Sequence, residues 1–241
     1  MSPLNQKLLR DLRQMAGQSI AIALVMACGV AVLVMSVGTH RHLQQTQDTY
    51  YDRSRFADIF VHLVRAPAVV KQQLAEIPGV GTVDIRIEQE VTLDVPGLEE
   101  PAIGRLVSLR TGADLTLNLP HISAGRLPDP DRSGEVLASE AFVLANRLQL
   151  GDSISAIING SFQRLTVVGV ALSPEYIFLI RSGDILPDDQ RFGVLWMNES
   201  ELAAAFDMQG SFNSASLRLL HGASPRDVIG QVDSLLEPYG C

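Results

Sequence analysis

The sequence predicts an α+β protein with one transmembrane helix near its N-terminus, and three observations carry this prediction. The twenty residues from Ser19 to Gly38 (SIAIALVMACGVAVLVMSVG) hold no charge, which is long enough for a helix to cross a bilayer. The run from Thr82 to Val95 largely alternates polar with apolar residues, as does a strand whose sheet has one wet face. Helical apolar stripes also lie between strand-like runs, which is typical of α+β domains.

The uncharged stretch favours a retained membrane helix over two alternatives. A cleavable signal has an apolar region of roughly 7–15 residues and then a small-residue cleavage site, whereas the longer run here is followed by Thr39-His40-Arg41-His42. A lipoprotein signal would place its cleavage before Cys28, yet the residues behind Cys28 are still apolar. We therefore predict a transmembrane helix over residues 19–38.

The charges around this helix predict its orientation. Lys7, Arg10 and Arg13 precede it and are diluted only by Asp11, while the roughly 200 residues behind it are long enough to be translocated largely regardless of their charge. We expect residues 1–18 in the cytoplasm or along the membrane surface. The chain from Arg41 onward is then expected outside a bacterial inner membrane, in the periplasm.

Small side chains recur every four residues along the predicted membrane helix. Ser19, Ala23, Ala27 and Ala31 therefore share one helical face, and such a face lets helix backbones approach closely inside a bilayer. This predicts a helix-packing face toward partner helices. The alternative, that alanine is simply common in membrane helices, is equally consistent with the pattern.

Composition and charge limit the possible functions of residues 19–241. The chain of 241 residues has 19 basic and 27 acidic side chains, and residues 19–241 hold 16 basic against 26 acidic, a net charge of −10. A domain this acidic is a poor nucleic-acid binder, so no nucleic-acid partner is expected. Cys28 lies in the predicted span and Cys241 is the last residue, so no internal disulfide is predicted.

Strand and helix signals alternate in the first part of the domain. The first strand is predicted over Phe56–Val64. A short helix is predicted to open at Ala66-Pro67, where proline fits the first turn, and to end at Pro78-Gly79. The alternating run from Thr82 to Val95 is the clearest strand signal, and a further strand is predicted over Ile103–Leu109.

Pro and Gly punctuate the region from about Asn118 to Phe192, which predicts a small β-rich lobe. Ser139 is predicted to cap a helix. The apolar stripe of that helix is Ala141, Leu144, Ala145 and Leu148. Strands over Ser153–Ile158 and Phe162–Val170 are joined by Asn159-Gly160, which indicates a hairpin because both residues tolerate φ > 0.

The last segment returns to mixed character. A strand is predicted over Phe192–Met197, then a helix over Glu199–Phe206 that is capped by Asn198 and, reciprocally, by Glu201. A strand follows, with Ala215, Leu217 and Leu219 on one face. A final helix begins at Ser224-Pro225, and its buried stripe is Val228, Val232, Leu235 and Leu236.

No motif predicts catalysis. The sequence lacks G-x-x-x-x-G-K-[ST], H-E-x-x-H and G-x-S-x-G. His40 and His42 have no cysteine or carboxylate nearby to complete a metal site, and Asp184, Asp188 and Asp189 indicate a solvated acidic loop. The apolar run Tyr176–Ile180 fits a partner-facing patch or a buried strand. We predict no catalytic, cofactor-binding or metal-binding residue, and hence no enzyme.

Two long stretches carry a family resemblance. The first is LLRDLRQMAGQSIAIALVMACGVAVLVMSVGT with YYDRSRFADIFVHLVRAP behind it, and the second is SEAFVLANRLQLGDSISAIINGSFQRLTVVGVALSPEY. The second reads as a helix, an L-x-L-G-D turn, a hairpin and a V-V-G-V strand. These features, in this order and behind a first membrane helix, resemble those of the FtsX/MacB-like ABC transporter permeases. The resemblance covers essentially the whole chain.

The resemblance implies a periplasmic core domain over residues 43–241. A porter-like α+β lobe would span residues 43–117 and 192–241, and an inserted β-rich lobe residues 118–191, a division that agrees with the punctuation at Asn118 and Phe192. The implied role is an ABC permease subunit that couples motion of a separate ATPase to export or mechanotransmission. ATP would bind that partner ATPase, so the chain itself needs no cofactor. Further implied partners are a periplasmic adaptor, membrane lipid and other subunits in a homo- or hetero-oligomer.

The sequence departs from the family in one respect. No second long apolar run follows Gly38, whereas family members have at least three further membrane helices behind this domain. We therefore expect a fragment, a truncated product or a subunit that another chain completes. The alternative function, from a different class, is an autonomous single-pass protein whose periplasmic domain binds a partner or senses a ligand.

Overall fold

The computed structural model describes residues 16–53, 55–110, 117–176 and 188–241, and their contacts divide them into two units between Tyr50 and Tyr51. Helix α1 runs over Ala16–Arg53. Ten large apolar side chains between Ile20 and Met35 are 59–72% exposed and lie all round this helix. No helix in the described ranges satisfies the joint requirement of length and apolarity for crossing a membrane. The predictions for residues 1–15 lie outside the described residues.

The second unit combines strands and short helices, so the predicted α+β class is confirmed. The elements are β1 (Ile59–Pro67), α2 (Val70–Ala75), β2 (Val80–Arg86), β3 (Glu88–Asp94), β4 (Ala102–Leu109), β5 (His121–Gly125), β6 (Glu135–Ser139), α3 (Glu140–Ala145), β7 (Ser153–Ile158), β8 (Ser161–Leu172), β9 (Phe192–Asn198), α4 (Glu199–Ala205), β10 (Ser211–Leu219) and α5 (Pro225–Leu236).

A three-stranded antiparallel sheet has the strand order β1-β10-β2. One face of it is apolar and packs with α2 and α5, in a core that includes Leu74, Leu217 and Val232. The alternating residues of the other face are polar, among them Asp84, Arg86 and Ser216. The sheet therefore has one face for a hydrophobic core and one that needs polar partners.

A seven-stranded sheet closes on itself. Its strand order is β5-β8-β6-β9-β4-β3-β7, and β7 also pairs with β8, so six of the strands form a ring. Pairs β4–β9 and β6–β8 are parallel, and the other pairs are antiparallel. Inward-facing side chains such as Leu93, Leu106, Ile154 and Leu165 fill the ring. Below we call these six strands the closed sheet.

Several local predictions are confirmed. The hairpin at Asn159-Gly160 joins β7 to β8, with φ of 47° and 77° at the two turn residues. Asn198 caps α4, because its Oδ1 accepts the backbone N–H of Ser200 at 3.0 Å. In α5, the predicted Val228, Val232 and Leu236 are buried.

The alternating run from Thr82 to Val95 does not form one strand with a wet face. It breaks at Ile87 into β2 and β3, which belong to different sheets. Ser108 holds the break, since its Oγ accepts the N–H of Ile87 at 2.9 Å and its N–H donates to the Ile87 carbonyl at 2.8 Å. As a consequence Asp84 and Arg86, predicted to be exposed, are 4% and 8% exposed.

Three predictions for helix N-termini were wrong in whole or in part. Ala66-Pro67 ends β1 instead of opening α2. Ser139 does lie at the N-cap position of α3, but its Oγ makes no capping bond there and accepts the Val194 N–H at 3.2 Å. The Glu201 carboxylate accepts the Gly134 N–H at 2.8 Å instead of capping α4. In each case a tertiary contact replaced the local one.

The buried stripe of α3 also differs from the prediction. Phe142 and Val143 are its buried residues, whereas Leu144 is 71% exposed. The helix is only six residues long, so its orientation follows the pocket that Phe142 fills and not the spacing of its alanines and leucines. The predicted division into lobes at Asn118 and Phe192 stays a prediction; the closed sheet takes strands from both sides of it.

Candidate functional site

The candidate site is a polar cleft between the polar face of the three-stranded sheet and the closed sheet. It is narrow and partly open to solvent, with a free volume of about 10 Å³. Polar and apolar residues share its lining, which is made by Asp84, Ile85, Arg86, Ser108, Leu109, Arg110, Asn118, Pro120 and Trp196. Chain regions far apart in sequence converge here, because β2, the end of β4 and β9 each contribute residues.

Arg86 is the centre of the site. Its Nε lies 3.0 Å from Asp84 Oδ2, its Nη1 lies 2.8 Å from Glu175 Oε2, and its Nη2 donates to the Leu117 carbonyl at 2.7 Å. The Arg86 and Glu175 side chains are each 9% exposed and that of Asp84 6%. The planar guanidinium suits this task, since it presents several donors in a fixed geometry.

Asn118 is a second centre of contacts. It has a left-handed backbone, with φ of 50°, and is 1% exposed. Its Oδ1 accepts the Ala57 N–H at 2.9 Å, while its Nδ2 donates to Glu175 Oε2 at 2.9 Å and to Ser216 Oγ at 3.3 Å. Asparagine is one of the few residues that tolerates this φ. Asn118 thus joins the segment before β1 to β10 and to Glu175.

Two further groups extend the network toward the rim. Arg110 forms a bidentate pair with Glu199, at 2.7 and 3.0 Å, and its Nη1 lies 3.7 Å from Asp84 Oδ1. At the β2–β3 break, the Asn213 side chain exchanges two hydrogen bonds with the Glu88 backbone, at 2.8 and 2.7 Å. These contacts join β3 and α4 to the three-stranded sheet and its cleft.

Burial and charge shift the acid–base properties of the site. Burial alone would lower the pKa of Arg86, but the charges of Glu175 and Asp84 outweigh it, so this pKa lies above its ordinary value. Burial raises the pKa of Glu175, against the opposing charge of Arg86. The pKa of Tyr176 is raised well above its ordinary value by burial and then by the charge of Glu88.

This geometry suits mechanical linkage between the sheets. Buried ion pairs that also share hydrogen bonds are costly to break singly, and here they connect β2, the 3₁₀ turn Pro174–Tyr176 and Asn118. In the cleft itself, the described residues offer no Ser, Cys or His in a nucleophile–base pair. Across the described parts of the chain, no three His, Cys, Asp or Glu side chains are grouped as metal ligands.

The described residues that the sequence analysis singled out as candidate sites do not line this cleft, apart from Asn118 at the lobe boundary. Ala23, Ala27 and Ala31 are exposed on α1, and nothing is described of the Ser19 side chain. Asp184 lies outside the described residues, while Asp188 Oδ1 accepts the N–H groups of Gln190 and Arg191 in a turn. The run Tyr176–Ile180 is described only at Tyr176.

Sequence reasoning missed the network because its residues look ordinary one at a time. Asp84 and Arg86 fit the polar positions of an alternating strand. Only Asn118 offered a signal, since it stands at a change of pattern and is a residue that accepts φ > 0. Nothing in the sequence pairs Arg86 with Glu175, which is 89 positions away.

Comparisons with known proteins give structural neighbours only. No protein-family model matches the sequence, and no curated protein does. One similar solved structure is the extracellular domain of the noncanonic ABC-type transporter YknZ from Gram-positive bacteria, with 14% identity, 75% of this chain and 90% of that one covered, and a TM-score of 0.45.

Two further solved structures are similar. One is the periplasmic region of MacB from Actinobacillus actinomycetemcomitans, with 14% sequence identity and a TM-score of 0.43. The match covers 71% of this chain and 73% of the MacB chain. The other is a domain of a protein described as a permease from Porphyromonas gingivalis, with 16% sequence identity and a TM-score of 0.41. The match covers 74% of this chain and 78% of that domain. One of the three is thus a domain of an ABC-type transporter, one a region of MacB and one a domain of a permease, and the sequence resembles FtsX/MacB-like ABC transporter permeases.

Proposed function

We propose that the chain is the N-terminal part of an ABC transporter permease subunit, in which residues 19–38 cross the membrane and residues 43–241 form an extracytoplasmic domain. Motion driven by a partner ATPase would reach this domain through the membrane helices. The chain would act in export or mechanotransmission and not as an enzyme, and ATP would bind the partner.

The observation that carries the proposal is the surface of α1. Ten large apolar side chains point outward on all sides of its N-terminal half, and a helix that is apolar all round needs an apolar environment on every side. The uncharged run in the sequence coincides with this half. A lipid bilayer provides such surroundings, and so do partner helices inside it.

The motif order behind the family resemblance gives a second support. It forms one continuous structure of α3, a turn over residues 148–152, and the β7–β8 hairpin. In the L-x-L-G-D turn, Gly151 has a φ of 94°, and Asp152 Oδ2 accepts the Gln149 N–H at 2.8 Å. Gly151 and Asp152 of this turn therefore each have a structural reason to be there.

The buried network suggests how the extracytoplasmic domain would work. Because Arg86, Glu175 and Asn118 tie the three-stranded sheet to neighbouring segments by several buried contacts, we expect the two sheets to move together. A domain that transmits motion needs such stiffness. The predicted two lobes, residues 43–117 with 192–241 and residues 118–191, belong to this proposal.

Thiol labelling tests the proposed topology. The chain has two cysteines, both exposed, and Cys241 belongs to the unit behind α1. In a Cys28→Ala variant, we expect a membrane-impermeant maleimide to label Cys241 in intact spheroplasts. A Ser2→Cys, Cys28→Ala, Cys241→Ser variant is the matched control, and it should react only after lysis. Labelling of Cys241 only after lysis would refute the periplasmic location.

The small-residue face separates the permease role from a single-pass anchor. We propose that Ser19, Ala23, Ala27 and Ala31 pack against membrane helices of other subunits. Replacing Ala23 and Ala27 with leucine should then block assembly with those subunits, because the larger side chains keep the backbones apart. Unchanged co-purification of the subunits would favour the alternative, an autonomous single-pass protein that binds a partner or senses a ligand.

A further inference from the structure

The outer surface of the closed sheet has an exposed apolar ridge. Phe162 is 78% exposed and Ile157 is 38% exposed, and the two are register partners at the β7–β8 hairpin. Thr92 of β3 is the register partner of Ile157 on the other side and is also exposed. Thr92, Ile157 and Phe162 thus form a row across three neighbouring strands, which we call the ridge.

A row of polar residues runs parallel to the ridge, two positions further along each strand. Asp94 pairs in register with Ser155, and Ser155 pairs with Arg164. Asp94 and Arg164 are exposed, and within the described ranges neither side chain has an ion-pair or hydrogen-bonding partner. This row therefore ends in a negative charge on β3 and a positive charge on β8, with β7 midway between them.

Both rows lie on the same side of the sheet. Residues in register face the same way, and successive residues alternate. The residues between them, such as Leu93, Ile154 and Leu165, point into the closed core. The six residues of the two rows consequently form one outward surface, with an apolar strip beside a strip of opposite charges.

We propose that this surface binds the same surface of a second copy of the chain, about a two-fold axis that runs along β7. Such an axis places β3 of each copy opposite β8 of the other. Asp94 then meets Arg164 of the second copy, and Phe162 covers Thr92 of the second copy. Ser155 and Ile157 lie on the axis and meet their own counterparts.

Charge complementarity identifies the occupant. In a two-fold interface the same patch appears on both sides, so the patch must complement itself. The polar row fulfils this condition, because it has an acid at one end and a base at the other. Both lie about 4.8 Å, the spacing of neighbouring strands, from the central strand. A row with one sign of charge would repel its own copy and would suit a different partner of opposite charge.

The size of the patch sets the strength of the contact. The area that two rows on three strands can bury is much smaller than the roughly 800 Å² that each partner buries in a standard protein interface. The contact is therefore weak in dilute solution and forms where copies are concentrated, as when other contacts already hold them together. This inference goes beyond the proposed function, because it assigns a specific surface to self-recognition and holds whether or not the chain belongs to a permease.

Site-directed cross-linking of the full chain in intact cells tests the proposal. In a Cys28→Ala, Cys241→Ser background, Ser155→Cys puts a thiol on the proposed axis. Facing sheets lie about 10 Å apart, so we use a homobifunctional thiol reagent that spans roughly that distance. We expect a covalent dimer. The matched control is Gln231→Cys, an exposed position on α5, which covers the opposite face of the three-stranded sheet and should give no dimer.

Charge reversal separates the proposed contact from chance collision. In the Ser155→Cys protein, Asp94→Arg alone or Arg164→Asp alone should lower the dimer yield roughly five- to thirtyfold, because two attractive pairs become repulsive. The double reversal Asp94→Arg, Arg164→Asp should restore it. Asp94 and Arg164 are exposed and Ser155 is half-buried, so each purified variant should keep the Trp196 emission of its parent as evidence of folding.

Three results would overturn the proposal. They are equal cross-linking at Ser155 and Gln231, single reversals that leave the dimer yield unchanged, and a folded double reversal that does not restore it. Cross-linking of Ser155→Cys to a different protein in place of a dimer would also contradict it, since the ridge would then have another occupant.

Discussion

Replacing Arg86 with methionine tests whether the buried network holds the extracytoplasmic unit together. Methionine keeps the apolar stem of the side chain and removes the guanidinium. The loss leaves the Glu175 carboxylate, 9% exposed, without its cation, and leaves Asp84, 6% exposed, with only Arg110 at 3.7 Å. It also removes the donor to the Leu117 carbonyl at 2.7 Å. Removing one partner of a buried ion pair costs about 3–5 kcal/mol. This is a large part of the free energy of unfolding of a typical protein, which is about 5–15 kcal/mol.

Trp196 provides the assay. It is the only tryptophan of the chain, is 2% exposed and lines the cleft, so its fluorescence reports unfolding at the site. For a unit of this size, a loss of 3–5 kcal/mol lowers the midpoint of thermal unfolding by roughly 6–20 °C. The exposed Arg226 is the matched control, and its change to methionine should cost less than about 0.5 kcal/mol.

A compensating variant checks the physical reason. If the cost comes from uncompensated buried carboxylates, adding Asp84→Asn and Glu175→Gln to Arg86→Met should recover part of the lost stability, because neither of these two buried side chains is then charged. A destabilisation of Arg86→Met that is no larger than that of Arg226→Met would refute the account of Arg86 as the centre of the network.

Three further changes have equally definite expectations. Asn118→Gly keeps the left-handed backbone but loses the buried hydrogen bonds, and should cost about 1–3 kcal/mol in urea unfolding, with Asn118→Ala worse by about 1 kcal/mol because of its φ of 50°. The Arg126 hydrogen bonds lower the pKa of Glu135 to about 2, so the stabilisation by this carboxylate is complete above its ordinary pKa and is lost as pH falls toward 2. Glu135→Gln should abolish that pH dependence. Gly193→Ala should destabilise by about 1–3 kcal/mol, since its Cβ would lie 2.5 Å from Phe142 Cγ.

Local signals predicted the elements that local chemistry determines. Asn159-Gly160 formed its hairpin because a two-residue turn of positive φ needs such residues. Asn198 capped its helix for a similarly local reason. The final helix followed its own apolar stripe, because Val228, Val232 and Leu236 face a single hydrophobic core. Each of these depends on residues within a few positions of one another.

The site and the sheet connections could not be predicted because they depend on contacts distant in sequence. The break at Ile87 needs Ser108, and the burial of Arg86 needs Glu175. An alternating strand has the same pattern whether its polar face meets water or a network of polar partners. The closure of the second sheet likewise depends on β7 pairing with both β3 and β8.

The most direct test of the proposed function is affinity purification of the tagged full chain from its native host in mild detergent, followed by identification of the proteins that accompany it. We expect an ABC ATPase in a fixed ratio to the chain, and we expect its recovery to fall in the Ala23→Leu, Ala27→Leu variant. Recovery of the folded chain without any ABC ATPase, alone or with other partners only, would contradict the permease assignment.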